Sequence, residues 1–217
     1  MKKNLTEIVF IIDESGSMYE LKADTIGGFN SVLSEQKSKD GEAYVSTVLF
    51  NNSSRVLHDR VPIERIGEMT ENDYRPSGST ALLDAVGSAI KHIANVHKYA
   101  RPEDVPEHTL FVITTDGMEN SSRHFSAEKV RKMIAKEQDK YGWEFLFLGA
   151  NIDSVQTAGT FGIDESRAVN YNADGKGTSV MFGAVCAAMS EVRENRPLGA
   201  SNKAWRKQAD EDYESRT

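Results

Sequence analysis

The sequence lacks the features that are typical of secreted and membrane-bound proteins. Among its 217 residues there is one cysteine, Cys186, so no disulfide can form within the chain and a reducing compartment is the simpler expectation. No apolar run approaches the roughly 20 residues of a membrane span. The N-terminal stretch MKKNLTEIVFIID also has too short an apolar run for a secretory signal. These absences predict a cytoplasmic protein.

Basic residues are fewer than acidic ones. Lys and Arg number 26 against 33 for Asp and Glu, which gives a formal charge of -7 and a sequence pI of about 5.3. This balance disfavours binding along a phosphate backbone, so nucleic acid is not an expected partner. The hydrophobic fraction of 39% and the charged fraction of 27% are typical of an ordinary globular protein with one sizeable core.

Segments with strand-like and helix-like patterns alternate along the chain. Apolar runs predict buried strands at residues 8–12, 108–115 and 143–148. Helical spacing of apolar residues predicts helices at 19–37, 78–100, 126–139 and 177–193. A hairpin of 43–50 with 55–61, whose second strand lies at an edge, and a short strand at 167–170 complete the set. The alternation predicts an α/β fold with a doubly wound, mostly parallel sheet and one antiparallel edge strand.

The composition becomes polar and charged towards the C-terminus. From residue 195 onward the sequence reads NRPLGASNKAWRKQADEDYESRT. We expect residues 1–195 to form the domain and residues 196–217 to form a polar, loosely attached tail, with Trp205 as a docking point.

Oxygen-bearing side chains stand where the predicted strands end. Asp13, Ser15 and Ser17 follow the first strand, Thr80 opens the long helix, and Asp116 follows the strand at 108–115. Ligands of open α/β sheets bind at the carboxyl ends of the strands. Carboxylates and hydroxyls are hard ligands, which favour Mg²⁺, Mn²⁺ or Ca²⁺ over zinc or copper. The pattern indicates a divalent cation whose remaining ligand positions are filled by water or by an incoming carboxylate.

Three segments resemble a known metal site. DESGSM (residues 13–18), GST (78–80) and TTDG (114–117) are similar to the three segments of the metal-ion-dependent adhesion site of von Willebrand factor A domains, which are also called integrin I-like domains. The order of strands and helices resembles that Rossmann-like fold over about residues 5–195. Within the family, the chain is most similar to small stand-alone bacterial or phage versions.

The resemblance implies a protein-binding module without catalysis. Ser15, Ser17 and Thr80 would contact the ion, Asp13 and Asp116 would act directly or through water, and a Glu or Asp of a partner protein would complete the shell. Mg²⁺ is the expected ion, with Mn²⁺ and Ca²⁺ as alternatives. In such domains the threonine and the second aspartate can move between direct and water-mediated contact, coupled to movement of the last helix.

Each segment taken alone has a commoner interpretation. DESGSM can be a turn before a helix, Thr80 a helix N-cap and Asp116-Gly117 a turn. Further residues border the same loops: for Glu14, Glu119 and Asn120 we expect solvated loop positions rather than contacts to a partner, and Asn151 and Asp153 stay candidates for the rim.

Two other classes of protein share the expected fold. A Mg²⁺-dependent phosphotransferase of the haloacid-dehalogenase type would use Asp13 as nucleophile, but Ser15 stands where its second acid is expected. A nucleotide-binding protein would show a G-x-G-x-x-G or P-loop motif, and the sequence has neither. A helical zinc pair is also disfavoured, because His92 and His97 are five residues apart.

Overall fold

A six-stranded sheet forms the centre of the computed structural model, which describes residues 1–199 and 202–216. The strands lie in the order β3-β2-β1-β4-β5-β6, and every neighbouring pair is parallel except β2 with β3. The strands are β1 (Lys2–Asp13), β2 (Glu42–Phe50), β3 (Ser54–Pro62), β4 (Pro106–Thr115), β5 (Glu144–Ala150) and β6 (Ala168–Tyr171). The predicted doubly wound sheet with one antiparallel edge strand is confirmed.

Helices cover both faces of this sheet. They are α1 (Lys22–Lys37), α2 (Leu82–Tyr99), α3 (Ala127–Tyr141), α4 (Ser154–Thr160), α5 (Gly175–Arg193) and α6 (Lys207–Glu214). Ile8, Phe10 and Ile12 of β1 lie in the core beneath α1 and α5, whereas Val9 and Ile11 lie in the core beneath α2 and α3. Because side chains alternate between the two faces of a strand, a strand buried on both faces has a continuous apolar sequence.

Two predicted helices begin later than the apolar pattern indicates. A 3-10 helix, Gly16–Leu21, precedes α1, and its first turn is closed by the Met18 N–H, which donates to the Ser15 carbonyl over 3.1 Å. The start of α2 moves from residue 78 to Leu82 because Gly78 has a φ of +76°, outside the helical region. In both places the segment just before the α-helix carries a predicted site residue, which is Ser17 before α1 and Thr80 before α2.

The C-terminal segment does not form the loose tail that we expected. Trp205 and Ala209 are buried in the same core as residues of α5, and α6 contacts both α5 and β6. The Arg206 Nη1 also donates to the Glu165 carbonyl over 2.9 Å. Trp205 is the docking point that we expected, but the segment is not loosely attached, because composition alone does not show how firmly one indole can anchor an otherwise polar segment. The division of the chain at residue 195 stays a prediction.

Two findings bear on the expected class of protein. Within the described residues, no helix combines the length and the apolar character that crossing a membrane requires. Cys186 is a free, buried cysteine, and burial raises the pKa of its thiol to about 11, which makes this thiol a poor nucleophile at neutral pH.

Candidate metal site

The loops that carry the predicted ligands meet at one edge of the sheet. Strands β1 and β4 are parallel neighbours, and Ile12 is in register with Thr114. Parallel strands in register end at the same edge, so the loops after Asp13 and after Thr115 lie side by side. The segment before α2 joins them, because the Gly16 N–H donates to the Gly78 carbonyl over 3.0 Å.

Asp13 is fully buried and held by three hydrogen bonds. Its Oδ1 accepts from the Ser15 N–H over 2.7 Å, and its Oδ2 accepts from the Thr115 hydroxyl over 2.6 Å. The Tyr74 hydroxyl donates to the Asp13 backbone carbonyl over 2.5 Å. These hydrogen bonds fix the direction of both carboxylate oxygens and of the backbone.

The remaining predicted ligands form a continuous cluster with Asp13. The Oγ atoms of Ser15 and Ser17 are 3.1 Å apart, and the Ser17 hydroxyl donates to Asp116 Oδ1 over 2.6 Å. A Cβ placed on Gly117 would lie 3.7 Å from Thr80 Oγ1 and 3.9 Å from Ser17 Oγ, so the Thr80 hydroxyl borders the same space. The structure therefore brings together the five side chains that the sequence singled out.

The two carboxylates are in an electrostatically unfavourable position without a cation. The pKa of Asp13 is raised to about 6, mainly by burial and to a smaller extent by the charge of Asp116, against the hydrogen bonds from Thr115 and Ser15. Burial likewise raises the pKa of Asp116, against the hydrogen bond from Ser17. No ion pair is described for either acid within residues 1–199 and 202–216. A buried divalent cation would reverse both effects, and two carboxylates with three hydroxyls are a donor set that suits a hard cation.

Glu14 differs from the solvated loop residue that we expected. Its side chain is buried, and its carboxylate accepts from Arg55 Nε over 3.1 Å and from Arg55 Nη2 over 2.7 Å. The backbone N–H of Arg75 donates to the same carboxylate. Glu14 therefore links the loop after β1 to β3 and to the segment before α2.

Glu119 and Asn120 also have structural partners that sequence reasoning missed. Glu119 Oε2 accepts from the Leu83 N–H over 2.9 Å, and its Oε1 accepts from the Ser122 N–H over 2.7 Å. Asn120 Oδ1 accepts from the Thr80 N–H over 2.9 Å. These two side chains satisfy backbone donors at the start of α2 and fix the position of Thr80.

The two rim candidates after β5 have local roles in the backbone. Asp153 caps α4 by accepting from the Gln156 N–H over 2.9 Å, and Asn151 has a φ of +55°, a conformation that asparagine tolerates. In the part of the chain that the structure describes, no group of three or more His, Cys, Asp or Glu side chains is placed to hold a metal. The cluster around Asp13 differs from such groups because hydroxyls supply most of its donors.

Comparison with solved structures identifies similar architectures. Proximal thread matrix protein 1 from the mussel byssus, in a structure with a zinc-occupied metal-ion-dependent adhesion site, matches with a TM-score of 0.57 and 15% identity over 86% of this chain and 46% of that chain. A von Willebrand factor type A protein from Catenulispora acidiphila matches with a TM-score of 0.54 and 14% identity over 85% of this chain and 42% of that chain.

These similarities concern the fold. This chain spans less than half of the length of the two proteins it matches, and at 14–15% identity the shared property is the architecture of the sheet and helices. No protein-family model matches the chain, and no curated protein matches it in sequence.

Proposed function

We propose that this chain, which has the von Willebrand factor A fold, is a divalent-cation-dependent protein-binding module. The observation that carries the proposal is the cluster of five oxygen-bearing side chains at the carboxyl edge of the sheet, with two carboxylates that have no described basic partner. The zinc-occupied adhesion site of the mussel protein supports the same kind of site here. The compartment proposed is the cytoplasm, and the partner proposed is a protein.

The five side chains have distinct roles in this proposal. Ser15, Ser17 and Thr80 contact the ion, and Asp13 and Asp116 hold it directly or through water. Two carboxylates balance the charge of a divalent ion and the hydroxyls are neutral, so the ion retains an electrophilic position that a partner's Asp or Glu can occupy. We propose Mg²⁺ as the resident ion, with Mn²⁺ and Ca²⁺ as chemically similar substitutes.

Thermal unfolding with Mg²⁺ and with EDTA tests the metal site. At a free Mg²⁺ concentration of 100 times Kd, binding to the folded state adds about 2.7 kcal/mol, which raises Tm by about 5–11 °C for a chain of this size. Asp116→Asn should lose most of this increase. Asp153→Asn is the matched control, because it removes an acid from the same edge of the sheet while asparagine still caps α4.

Several results would argue against this function. Equal melting temperatures in Mg²⁺ and in EDTA would show that the protein has no such metal site. Equal increases of the melting temperature by Mg²⁺ in Asp116→Asn and in the wild-type protein would show that the metal binds elsewhere. Thr80→Ala should lower the free energy of binding to an acidic peptide more than it lowers the free energy of unfolding. Metal-dependent hydrolysis of an aryl phosphate, abolished by Asp13→Asn, would instead favour the phosphotransferase.

A further inference from the structure

Two large apolar side chains are exposed beside the candidate metal site. Tyr19 is 68% exposed and Met118 is 74% exposed. Each stands two residues after a predicted ligand, Tyr19 after Ser17 and Met118 after Asp116. Consecutive Cα atoms are about 3.8 Å apart, so each apolar residue has its Cα within about 7.6 Å of the Cα of a ligand. The hydrogen bond between Ser17 and Asp116 joins the two loops, so the apolar residues flank one site.

The backbone that carries each of these two side chains is held in place by its neighbours. Tyr19 lies in the 3-10 helix between Met18 and Leu21, which are both buried, so the neighbours of Tyr19 anchor the turn from which it projects. Met118 directly precedes Glu119, whose carboxylate accepts from the Leu83 N–H at the start of α2. Both apolar groups therefore project from backbone that is already fixed before a partner binds.

A single exposed apolar residue needs no explanation in a globular protein. The pair is different, because Tyr and Met are enriched in the cores of protein interfaces, and a side chain on fixed backbone loses only its own rotamer freedom on binding. A metal–carboxylate contact alone also cannot distinguish one acidic residue from another. Specificity has to come from the surface around the ion, and Tyr19 and Met118 are exposed apolar groups on that surface.

We infer that this site recognises a protein segment in which the metal-binding Asp or Glu has an apolar residue within two positions, and that this apolar side chain packs against Tyr19 and Met118. The inference rests on the proposed function and specifies its partner. The occupant is an acidic segment with one apolar neighbour, because the ion accepts the carboxylate while the flanking side chains are uncharged.

The probe for this inference is a library of seven-residue peptides with Asp or Glu at the centre and random flanking positions, selected on the full chain in Mg²⁺. We expect enrichment of aliphatic or aromatic residues within two positions of the acid. Tyr19→Ser and Met118→Ser should each bind a selected peptide about tenfold more weakly, the loss expected for an interface anchor. Their affinity for Mg²⁺, measured by calorimetry, should equal that of the wild-type protein.

Tyr99→Ser serves as the control, because Tyr99 is 78% exposed but lies at the far end of α2. That helix has 18 residues, so its end is about 27 Å from its start beside the site. Tyr99→Ser should leave peptide binding unchanged.

The possible failures can be told apart. If the wild-type protein selects acidic peptides in Mg²⁺ without an apolar preference, or if both serine variants bind as tightly as wild type, the apolar recognition is wrong and the proposed function stands. If the protein binds Mg²⁺ but selects no acidic peptide, both the apolar recognition and the partner role are wrong. If it binds no Mg²⁺, the metal site itself is wrong.

Discussion

Two neighbouring threonines at the end of β4 offer a direct test of how Asp13 is held. The Thr115 hydroxyl donates to Asp13 Oδ2 over 2.6 Å, whereas the Thr114 hydroxyl has no hydrogen-bond partner among the described residues. Both side chains are buried. Replacing threonine by valine exchanges a hydroxyl for a methyl group of similar size. Thr115→Val removes the hydrogen bond to Asp13 and a weaker one, 3.3 Å long, that the Thr115 hydroxyl accepts from the Gly117 N–H, whereas Thr114→Val removes none that is described.

Only Thr115→Val should lower the stability of the protein. In EDTA at neutral pH, Thr115→Val should destabilise the protein by about 2 kcal/mol, because a hydrogen bond to a charged group contributes about 1.5–3 kcal/mol. For a chain of this size the loss lowers Tm by about 4–8 °C. Thr114→Val should be neutral or stabilise by up to about 1 kcal/mol, because it removes a buried hydroxyl that has no described partner.

Metal affinity provides a second, independent measurement on the same pair. Thr115 orients a predicted ligand, so Thr115→Val should weaken Mg²⁺ binding by about tenfold or more, whereas Thr114→Val should not change it. The measurements are urea unfolding in EDTA and calorimetric titration with Mg²⁺. Equal unfolding midpoints and equal Mg²⁺ affinities for the two variants would refute the role of the Thr115 hydroxyl.

Three further predictions follow from the site and from the C-terminal segment. In EDTA, the pKa of Asp13 is about 6 in the folded state, above the ordinary value of 3.8. The free energy of unfolding of wild type relative to Asp13→Asn should therefore fall as the pH rises from about 4 to about 6. Urea unfolding measures this difference, and a difference that does not change with pH would contradict the prediction. Gly78→Ala should destabilise the protein by about 1–2 kcal/mol, because Gly78 has a φ of +76° and an added Cβ would lie 1.9 Å from Asn52 Oδ1. It should also weaken Mg²⁺ binding, because Thr80 would move. Calorimetry measures both effects, and Gly67→Ala, where an added Cβ meets nothing within 4 Å, is the control. Trp205→Ala should lower the free energy of unfolding by about 3–5 kcal/mol, as for other buried aromatic residues. Thermal unfolding measures this loss, and a loss below about 1 kcal/mol would support a loosely attached tail.

The central strands and the candidate ligands were predictable from the sequence for one physical reason. Strands β1, β4 and β5 are buried on both faces, so each is encoded as an apolar run that stops where the chain leaves the sheet. A polar residue at the point where such a strand ends must lie at the carboxyl edge, and this places Asp13 and Asp116 there without any knowledge of tertiary contacts. Helix starts were less predictable, because the apolar pattern continues through the 3-10 turn of Gly16–Leu21.

The supporting residues could not be predicted because their partners are distant in sequence. Glu14 pairs with Arg55, 41 residues away, and Asn120 accepts from the Thr80 N–H, 40 residues away. Nothing local distinguishes such a side chain from a solvated loop residue. A buried acid can be recognised as structural only after the fold has brought its donors to it.

Asp13 and Glu14 are adjacent acids whose surroundings differ in the one respect that matters for binding a cation. Glu14 is paired with Arg55, so its charge is already balanced. Asp13 receives hydrogen bonds from the neutral Ser15 N–H and Thr115 hydroxyl, and Asp116 receives one from the neutral Ser17 hydroxyl. Neutral donors orient a carboxylate without cancelling its charge. Glu14 thus fixes the loop, and two carboxylates without a basic partner stay at the sheet edge, where an arginine would compete with the proposed cation.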